Sequence, residues 1–558
     1  MTGLHAPGAW APGVTPSGPD AFPGEFVVTD LPNLPDEWLI ELGATPEPVN
    51  VQPPALGMPG GVAVGAMPDD LPATGGAGLV LRFSLRGWIG EPNDAAQPNV
   101  AYPDRLVEPP TLVRSLRVLP EDTARLNFQA GELALDNADG GLDFIGGDWA
   151  MAGRLAVLRR GPYRTPIRAM YNEFGRVADL RITSAAMTSG TRLTVALRDA
   201  AADLSVPVCG VYAGTGGLEG DVALAGQSRP LLLGFKPNIA PTRLLATLLV
   251  WQVSSVPLQA VFALRDGGAP LTLVGDYPTL EALLAAPLPT SSYATCLTHG
   301  LVRTGSPPAG QLTCDARSPG DISHAGIALA LLQGPGGLSG ERIVRSGFAQ
   351  LPLGDAGWIW RSGTVTAALD QVFGSCAGWW GSDRLGRIVA GRLAQPELLG
   401  PRMIIERWMV TADPSEVAGV APRWRQRVAY HVLDQVQTAT DLFGIAEEDP
   451  ALVAAYGTAQ QVATAYDTRI NQIYPSATDP DVLVSGFRTA GPAQALADDL
   501  LALHGTRRRR WRVPVGKWGH LIDLGDVVAV DHPRLAGRHW QVIASDEVGD
   551  AKTLTLWG

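Results

Sequence analysis

A cluster of carboxylate and amide side chains lies in the segment DNADGGLD, residues 136–143. Such oxygens are the ligands that Ca²⁺ prefers, and an EF-hand loop needs one at its third residue and a Glu at its twelfth. Counted from the first Asp, those positions hold Ala138 and Gly147, so the spacing does not fit. Asn and Asp also bond their own backbone in turns, and Gly tolerates positive φ. We therefore predict a structural turn and no metal, with the turn formed by Asn137, Asp139 and Gly140.

A second glycine-rich segment, GTGGLEG at residues 214–220, comes close to the GxGxxG loop that holds nucleotide phosphates. Glu219 stands where the last Gly belongs, and no strand-to-helix pattern surrounds the segment. We interpret it as a turn and predict no cofactor. The residues assigned to structural turns here are Gly216, Gly217, Gly220 and the nearby Pro230.

The cysteines and histidines could supply zinc ligands by type. Cys296, His299, Cys314 and His324 are the candidates, but only the first two form a close pair. Structural zinc sites use tight pairs at both ends of the set, which favours core cysteines with unrelated histidines. With Cys209 and Cys376 the chain has four cysteines, which predicts free buried thiols in a protein made in the cytosol.

One basic run, RRRRWR at residues 507–512, could bind nucleic acid, or it could form a strand that is solvated or that faces an acidic neighbouring subunit. The formal net charge of −12 disfavours nucleic acid, because phosphate binding needs a wide basic patch. The 15 tryptophans could stack on sugars, although anchors for cores and interfaces explain them as well. The candidate sugar platforms are Trp379, Trp380 and Trp518.

The elements that position these residues are mostly strands. The chain has 558 residues with 46% hydrophobic and 18% charged residues, which predicts several globular domains. Its 65 Gly and 46 Pro indicate short strands and tight turns. Residues 244–264 carry no charge and are long enough to span a bilayer, but polar residues fill their second half. Two buried strands, or a buried strand and a helix, explain the segment better, and we predict no membrane insertion.

Local patterns predict a few helices and one hairpin. A short helix is expected at residues 279–284, another from Thr364, and an amphipathic one at residues 492–504 that ends at Gly505. The segment GWWGSDRLGRIVAGRL is typical of a β-hairpin with its turn at residues 383–386. The predicted fold class is mainly β with small α+β parts, in several domains of β-barrel or sandwich type with a mixed α/β domain between them.

The predicted domain organisation has five parts. They are a Pro/Gly-rich N-terminal arm (1–77), a first β-barrel domain (78–235), a β-rich connecting domain (236–321), a mixed α/β domain (322–400), and a second β-barrel domain (401–558) with one helix. Residues 1–75 bury little by composition, so we expect them to be dispensable for folding but needed for assembly, although FVVTDLP and EWLIEL could add short strands to another sheet.

Several segments, in the same order from about residue 78 onward, resemble tail-tip or baseplate hub proteins of long-tailed, siphovirus-like bacteriophages. They are residues 131–144, 219–241, 261–268, 292–296 with 310–318, 374–396 and 524–558. The resemblance implies a structural virion protein of the tail tip or baseplate. It would form a ring-shaped hub of tail-tube-like β-barrel domains that closes or continues the tail tube and anchors fibre or receptor-binding proteins. The resemblance carries no catalytic residue, and we predict no enzymatic activity.

The resemblance also implies partners and a location. The partners would be the tail tube or distal tail protein, the tape measure and fibre proteins, at the tail tip of a virion made in the host cytoplasm. Two β-rich regions in one chain favour a homotrimer, since three chains would then match a six-fold tube. An acidic lumen would let DNA pass without specific binding. The alternatives are a carbohydrate-binding receptor-recognition tail protein and a tail-associated cell-wall hydrolase.

Overall fold

The computed structural model describes residues 36–46, 79–145, 149–165, 168–549 and 551–558. The protein is mainly β with small α+β parts, and its strands are divided among several sheets that enclose separate hydrophobic cores. This confirms the predicted fold class at the level of mainly β and multidomain. The remainder of the predicted N-terminal arm, residues 1–35 and 47–77, lies outside the described residues.

The first third of the chain forms an antiparallel sheet with a small hairpin beside it. Its strands are β1 (Asp36–Pro46), β2 (Leu79–Ser84), β3 (Trp88–Ile89), β4 (Ala101–Tyr102), β5 (Leu106–Glu108), β6 (Leu112–Ser115), β7 (Asn127–Ala130), β8 (Glu132–Asp136), β9 (Trp149–Ala150), β10 (Leu155–Pro162), β11 (Gly175–Ser189) and β12 (Arg192–Arg198). The sheet order is β2-β1-β10-β11-β12-β8-β5, with β9 also paired to β1, and we name it the N-terminal sheet.

Strand β1 lies inside this sheet, between β2 and β10, although it belongs to the predicted N-terminal arm. Trp38, Ile40 and Leu42 alternate along it and are buried in the first core. The opposite face carries Leu39, which packs with Trp88 and other aromatic residues. The expectation that residues 1–75 are dispensable for folding is therefore wrong for β1. Because the surrounding residues are rich in Pro and Gly, the composition of the whole segment does not indicate this strand.

The middle of the chain contains two five-stranded sheets and most of the longer helices. The strands are β13 (Leu231–Ile239), β14 (Thr242–Leu245), β15 (Val250–Gln252), β16 (Ala260–Asp266), β17 (Ala269–Pro270), β18 (Thr272–Asp276), β19 (Ser292–Cys296), β20 (Leu301–Thr304), β21 (Leu312–Arg317), β22 (Gly357–Trp360), β23 (Gly378–Ser382) and β24 (Ile388–Arg392). The sheet orders are β17-β16-β21-β13-β22 and β14-β15-β20-β19-β18, and β23 pairs with β24 as the predicted hairpin. The uncharged residues 244–264 run from the end of β14 through β15 into β16, with loops between these strands. No helix in the described ranges is long and apolar enough to cross a membrane.

The described ranges hold seven α-helices. They are α1 (Leu280–Ala285), α2 (His324–Gln333), α3 (Val365–Gly374), α4 (Ile445–Glu448), α5 (Pro450–Gly457), α6 (Thr468–Ile473) and α7 (Ala490–His504). The three predicted helices correspond to α1, α3 and α7. The Thr364 hydroxyl caps α3 by accepting from the Ala367 N–H at 3.2 Å. Helix α7 ends before Gly505 as predicted, but that glycine has φ −74°, and a Cβ there would meet the Leu501 carbonyl oxygen at 2.5 Å.

The last part of the chain forms a three-stranded sheet and a larger one. The strands are β25 (Met403–Ile405), β26 (Ser415–Val417), β27 (Arg425–Tyr430), β28 (Gln461–Tyr466), β29 (Leu483–Val484), β30 (Arg510–Val515), β31 (Val527–Val530), β32 (His539–Val548) and β33 (Ala551–Trp557). The smaller sheet, β28-β27-β29, packs against α7. The larger one, β25-β31-β32-β33-β30-β26, is named the C-terminal sheet.

One segment pairs with both edge strands of the four-stranded group β31-β32-β33-β30 in the C-terminal sheet. β25 pairs with β31, whereas Val410 and β26 pair with β30 at the other end. Trp511, Val513 and Val515 alternate inward along β30, and Trp540 from β32 fills the same core. The segment from Met403 to Val417 thus wraps a core that the four central strands alone would leave open.

The N-terminal and C-terminal regions share backbone pairing. The hairpin β6–β7 belongs to the first third of the chain, yet β6 pairs with the second half of β32, from Ala544 to Glu547. The first core likewise includes Ile543 and Trp557. Strand β13 runs across the boundary predicted at residue 235. The five-part division of the chain remains a prediction.

Candidate functional site

The most heavily charged buried region lies where β6 meets the C-terminal sheet, and we name it the junction. Its members come from β6, the β23–β24 turn, the segment before β31, β32 and β33. They are Arg114, Arg384, His520, Asp523, Glu547 and Lys552. Their sequence positions span more than half of the chain, so they meet only when the whole fold has formed.

Glu547 is the centre of the junction. Its carboxylate pairs with Arg384, and one of the two contacts is 2.9 Å long. The Lys552 ammonium lies 3.2 Å from the same carboxylate and donates to the Ile522 carbonyl at 2.8 Å. His520 Nδ1 lies 3.4 Å away on the other side. Arg114 pairs with Asp523, which also lies 3.8 Å from Arg384.

Burial decides which of these groups carry charge. Burial alone would raise the pKa of Glu547, but Arg384 and Lys552 hold it well below its usual range. Burial, followed by repulsion from Arg384, lowers the pKa of Lys552 to about 7, and burial lowers that of His520 to about 4. Two arginines then face two carboxylates, His520 is neutral near pH 7, and Lys552, with a pKa of about 7, adds part of a positive charge to the site.

The junction continues into the N-terminal sheet. Arg160 of β10 contacts His520 and pairs with Asp36 of β1, and Lys517 lies 2.7 Å from the same Asp36 carboxylate. Buried ion pairs are costly to break, because removal of one partner leaves an uncompensated charge. The arrangement therefore fixes the N-terminal sheet, the β23–β24 hairpin and the C-terminal sheet in one geometry. The ion pairs of the junction thus hold the sheets together.

The predicted turn residues 137, 139 and 140 lie together directly after β8. Asn137 is buried, its Oδ1 accepts from the Leu142 N–H at 2.7 Å, and its Nδ2 donates to Asp143 at 2.8 Å. Gly140 has φ +67°, the conformation expected for glycine in such a turn. Asp139 accepts from the Gly141 N–H at 2.9 Å.

Sequence reasoning missed the partner of Asp139. Both Asp139 oxygens accept from Arg105, at 2.5 and 2.8 Å, and this pairing holds the pKa of Asp139 well below its usual range. The fork geometry of a guanidinium suits such a two-point contact. Within the described ranges, no group of three or more His, Cys, Asp or Glu side chains could hold a metal ion.

The second predicted turn surrounds a short 3₁₀ helix, Gly217–Glu219. Gly216, Gly217 and Gly220 all have positive φ, between 60° and 91°. Glu219 pairs with Arg229, which directly precedes Pro230. The Pro230 carbonyl accepts from the Ser255 N–H at 2.7 Å and so ties the start of β13 to the next sheet.

The arginine run meets acidic residues of its own chain. Contacts of this run to a neighbouring subunit remain a prediction, and three of its members also form ion pairs within the chain. The pairs are Arg508 with Glu397, Arg509 with Glu416 and Arg512 with Asp546. The sequence gives little indication of these partners, because each acidic residue lies at least 30 positions away from its arginine.

Two proposed sugar platforms and three of the four proposed zinc ligands are buried, whereas His299 is only half-buried. Trp380 has no exposed surface and Trp379 only 9%, so neither ring can stack on a sugar. The side chain of Trp518 lies outside the described part of the structure. Cys296 and Cys314 are buried in different cores, and His324 packs against Trp358 and Phe487. All four cysteines are free and buried, as predicted.

No family model matches the chain, and no curated protein matches it. Among solved structures, it is similar to the 43 kDa tail protein of prophage MuSo2 from Shewanella oneidensis, with 11% identity over 80% of this chain and 92% of that chain and a TM-score of 0.32. It is also similar to the prophage tail protein gp18 from Listeria monocytogenes EGD-e, with 9% identity over 80% and 87% and a TM-score of 0.33.

A third similarity is to a chain in the virion of a native gene transfer agent particle. It has 15% identity, covers 59% of this chain and 84% of that chain, and has a TM-score of 0.38. TM-scores in this range do not assign a shared fold. The fold class stated above therefore rests on the strands and sheets of this chain itself.

Proposed function

We propose that this protein is a non-enzymatic structural component of a phage tail, and that it works in the tail tip or baseplate as part of a ring-shaped hub. The observation that carries the proposal is the junction. Strand pairing between β6 and β32 and the ion pairs of Glu547 hold two β-rich regions of one chain together. A subunit with two β-rich regions in fixed geometry is suited to a load-bearing ring. The resemblance of sequence segments, in the same order, to hub proteins supports the same role.

The proposed ring is a homotrimer that contacts the tail tube or distal tail protein, the tape measure and fibre proteins. Three chains with two β-regions each present six similar units, which would match a six-fold tube. The net charge of −12 supports a lumen that repels phosphate and lets DNA pass. The carbohydrate-binding alternative loses support, because Trp379 and Trp380 are buried.

Electron microscopy of purified particles tests this proposal. An antibody against the chain should label one end of the tail, and a reconstruction should show three copies with pseudo-six-fold symmetry between residues 78–235 and 401–558. Label on the capsid, or no label on intact and opened particles, would overturn the role in the tail. Six copies without internal pseudo-symmetry would keep that role and overturn the trimeric ring.

A further inference from the structure

Helix α5 has the sequence PALVAAYG and is apolar on all sides, yet none of its residues is buried. A helix that is hydrophobic all round normally lies in a core. Leu452, Val453 and Tyr456 are half-buried, whereas the three alanines of the helix are exposed. An exposed surface of this composition indicates an interface with another molecule.

The short helix α4 and the loop before it extend this surface. Their inner side is anchored, because a Cβ at Gly268 would meet Leu442 at 2.6 Å and Ala446 at 2.9 Å. Ile445, in contrast, is 64% exposed, and Phe443 is 42% exposed. The exposed apolar residues are here named the acidic-rimmed patch, and they are Phe443, Ile445, Ala451, Ala454 and Ala455.

Carboxylates border this patch on one side. Residues 441–466 contain four Asp or Glu and no Lys, Arg or His. Asp441 and Asp449 each accept from a backbone N–H of their own turn. Glu447 and Glu448 are exposed and form no ion pair within the described ranges. A surface that covers this patch should therefore combine apolar side chains with basic ones.

A second exposed apolar surface lies at the other end of β28, where this strand leads into α6. Tyr466 is 64% exposed and Ile473 is 68% exposed. The Arg469 side chain on the same helix is 81% exposed, although it also pairs with Asp467. Apolar and basic groups thus occur together at this end of the strand.

The arginine run adds positive charge beside α6. A Cβ at Gly505 would meet Ile470 of α6 at 2.8 Å, so the loop after α7 lies against that helix. Arg507 follows two residues later, is exposed, and forms no ion pair in the part of the chain that the structure describes. The basic-rimmed patch is the name used below for Tyr466, Arg469, Ile473 and Arg507.

The two patches lie at opposite ends of β28. Its six residues, at about 3.3 Å each, separate them by about 20 Å. They are complementary, because both expose apolar side chains and their borders carry opposite charges. Two different complementary patches on one chain favour a head-to-tail contact between copies, which closes into a ring when the rotation between copies permits.

We propose that the basic-rimmed patch of one copy of this chain covers the acidic-rimmed patch of the next copy. Glu447 and Glu448 then lie opposite the arginines, and Ile445 becomes buried. This inference rests on the proposed function, since it names the contact between subunits of the ring. The charges at this contact predict an association that weakens as the salt concentration rises.

Sedimentation of the full chain at micromolar concentration tests this contact, and the parent chain should self-associate. Two double charge reversals, Glu447→Arg with Glu448→Arg and Arg469→Glu with Arg507→Glu, should each weaken self-association about tenfold or more, because like charges then face each other. A monomeric parent chain, or unchanged association in either double variant, would overturn the proposal.

A matched control carries the same change of charge elsewhere. Glu108 and Glu132 are exposed carboxylates of the N-terminal sheet. Replacement of both by Arg should leave self-association unchanged, and circular dichroism checks that all variants fold. An equal loss of association in this control would show a general effect of charge and would overturn the specific contact.

An equimolar mixture of the two charge-reversed variants tests the head-to-tail arrangement. Each variant repels itself, but in the mixture every basic surface can meet an acidic one, so association should return. No recovery in the mixture would reject the contact. The two proposals fail separately: label at the tail end with no recovery would keep the proposed function, whereas label on the capsid would reject that function whatever the mixture shows.

Discussion

At the turn after β8, the amide of Asn137 makes two buried hydrogen bonds, to the Leu142 N–H and to the Asp143 carboxylate. Asn137→Ala should therefore lower the free energy of unfolding by about 1 to 3 kcal/mol, because it leaves a buried backbone donor without a partner. Denaturant unfolding measures the change. Asp139→Asn is the matched control, and its effect should be smaller because that side chain is half-exposed. A lower Tm on adding EGTA would revive the metal interpretation, whereas a larger loss for Asp139→Asn would show that the ion pair with Arg105 outweighs the Asn137 hydrogen bonds.

Three buried histidines should make the fold sensitive to acid. Burial lowers the pKa of His324 and His504 to about 3 and that of His520 to about 4. Between pH 6.5 and 4 the unfolded chain then binds protons that the folded chain does not, so stability falls as the pH falls. Each histidine accounts for about 2 kcal/mol of the decrease in the free energy of unfolding at pH 5. Burial raises the pKa of Asp179 to about 6, which opposes part of this loss.

The variant His324→Gln tests that account, because Gln does not titrate and can still bond the Ser375 hydroxyl that His324 contacts at 3.2 Å. Denaturant unfolding at pH 7.5 and pH 5 should show a loss of stability about 2 kcal/mol smaller in the variant than in the parent protein. Equal losses in the two proteins would show that His324 does not contribute.

Turns were predictable at the residue scale because their causes are local. Asn137 forms hydrogen bonds with residues a few positions away, and Gly140 adopts the positive φ of the turn. Both residue types can be recognised in the sequence. The partner of Asp139 was not predictable, since Arg105 reaches it from another strand. The acidic partners of Arg508 and Arg509 were not predictable either, because they also lie on segments distant in sequence.

At the scale of elements, β1 is the most informative strand. It lies between β2 and β10, and its Trp38, Ile40 and Leu42 have almost no exposed surface. A chain that lacks residues 1–46 should therefore be insoluble, because the N-terminal sheet loses an interior strand and its core. Deletion of residues 1–35 is the control, and it should leave soluble protein with unchanged circular dichroism. Soluble and folded protein after the longer deletion would contradict the placement of β1.

Patterns within a single element predicted α3, α7 and the β23–β24 hairpin. In each of them the apolar residues repeat with the period of the element and the caps or turn residues lie next to it. The pairing of β6 with β32 and the position of β1 were not predictable in this way. The partner β10 of β1 lies more than 100 residues away and the partner β32 of β6 more than 400, and alternation shows only that a segment is a strand.

At the scale of the whole molecule, the junction predicts a large difference between two adjacent carboxylates. Glu547→Gln should lower the free energy of unfolding by about 3 to 5 kcal/mol, because it leaves Arg384 buried without its partner. Asp546→Asn should cost about 1 kcal/mol or less, since Asp546 pairs with the exposed Arg512. Denaturant unfolding of both variants measures the difference. Similar losses would show that the junction does not fasten the sheets.

The pairing of β6 with β32 also affects folding during synthesis, because β6 is made long before its partner strand. Roughly 430 residues separate these strands, so at bacterial elongation rates β6 waits about 20 to 90 s on the ribosome before its partner is made. During that interval the backbone groups along one side of β6 are open to strands of other nascent chains. Crowded polysomes therefore favour intermolecular pairing, and bound chaperones or dilute expression should increase the yield of native protein.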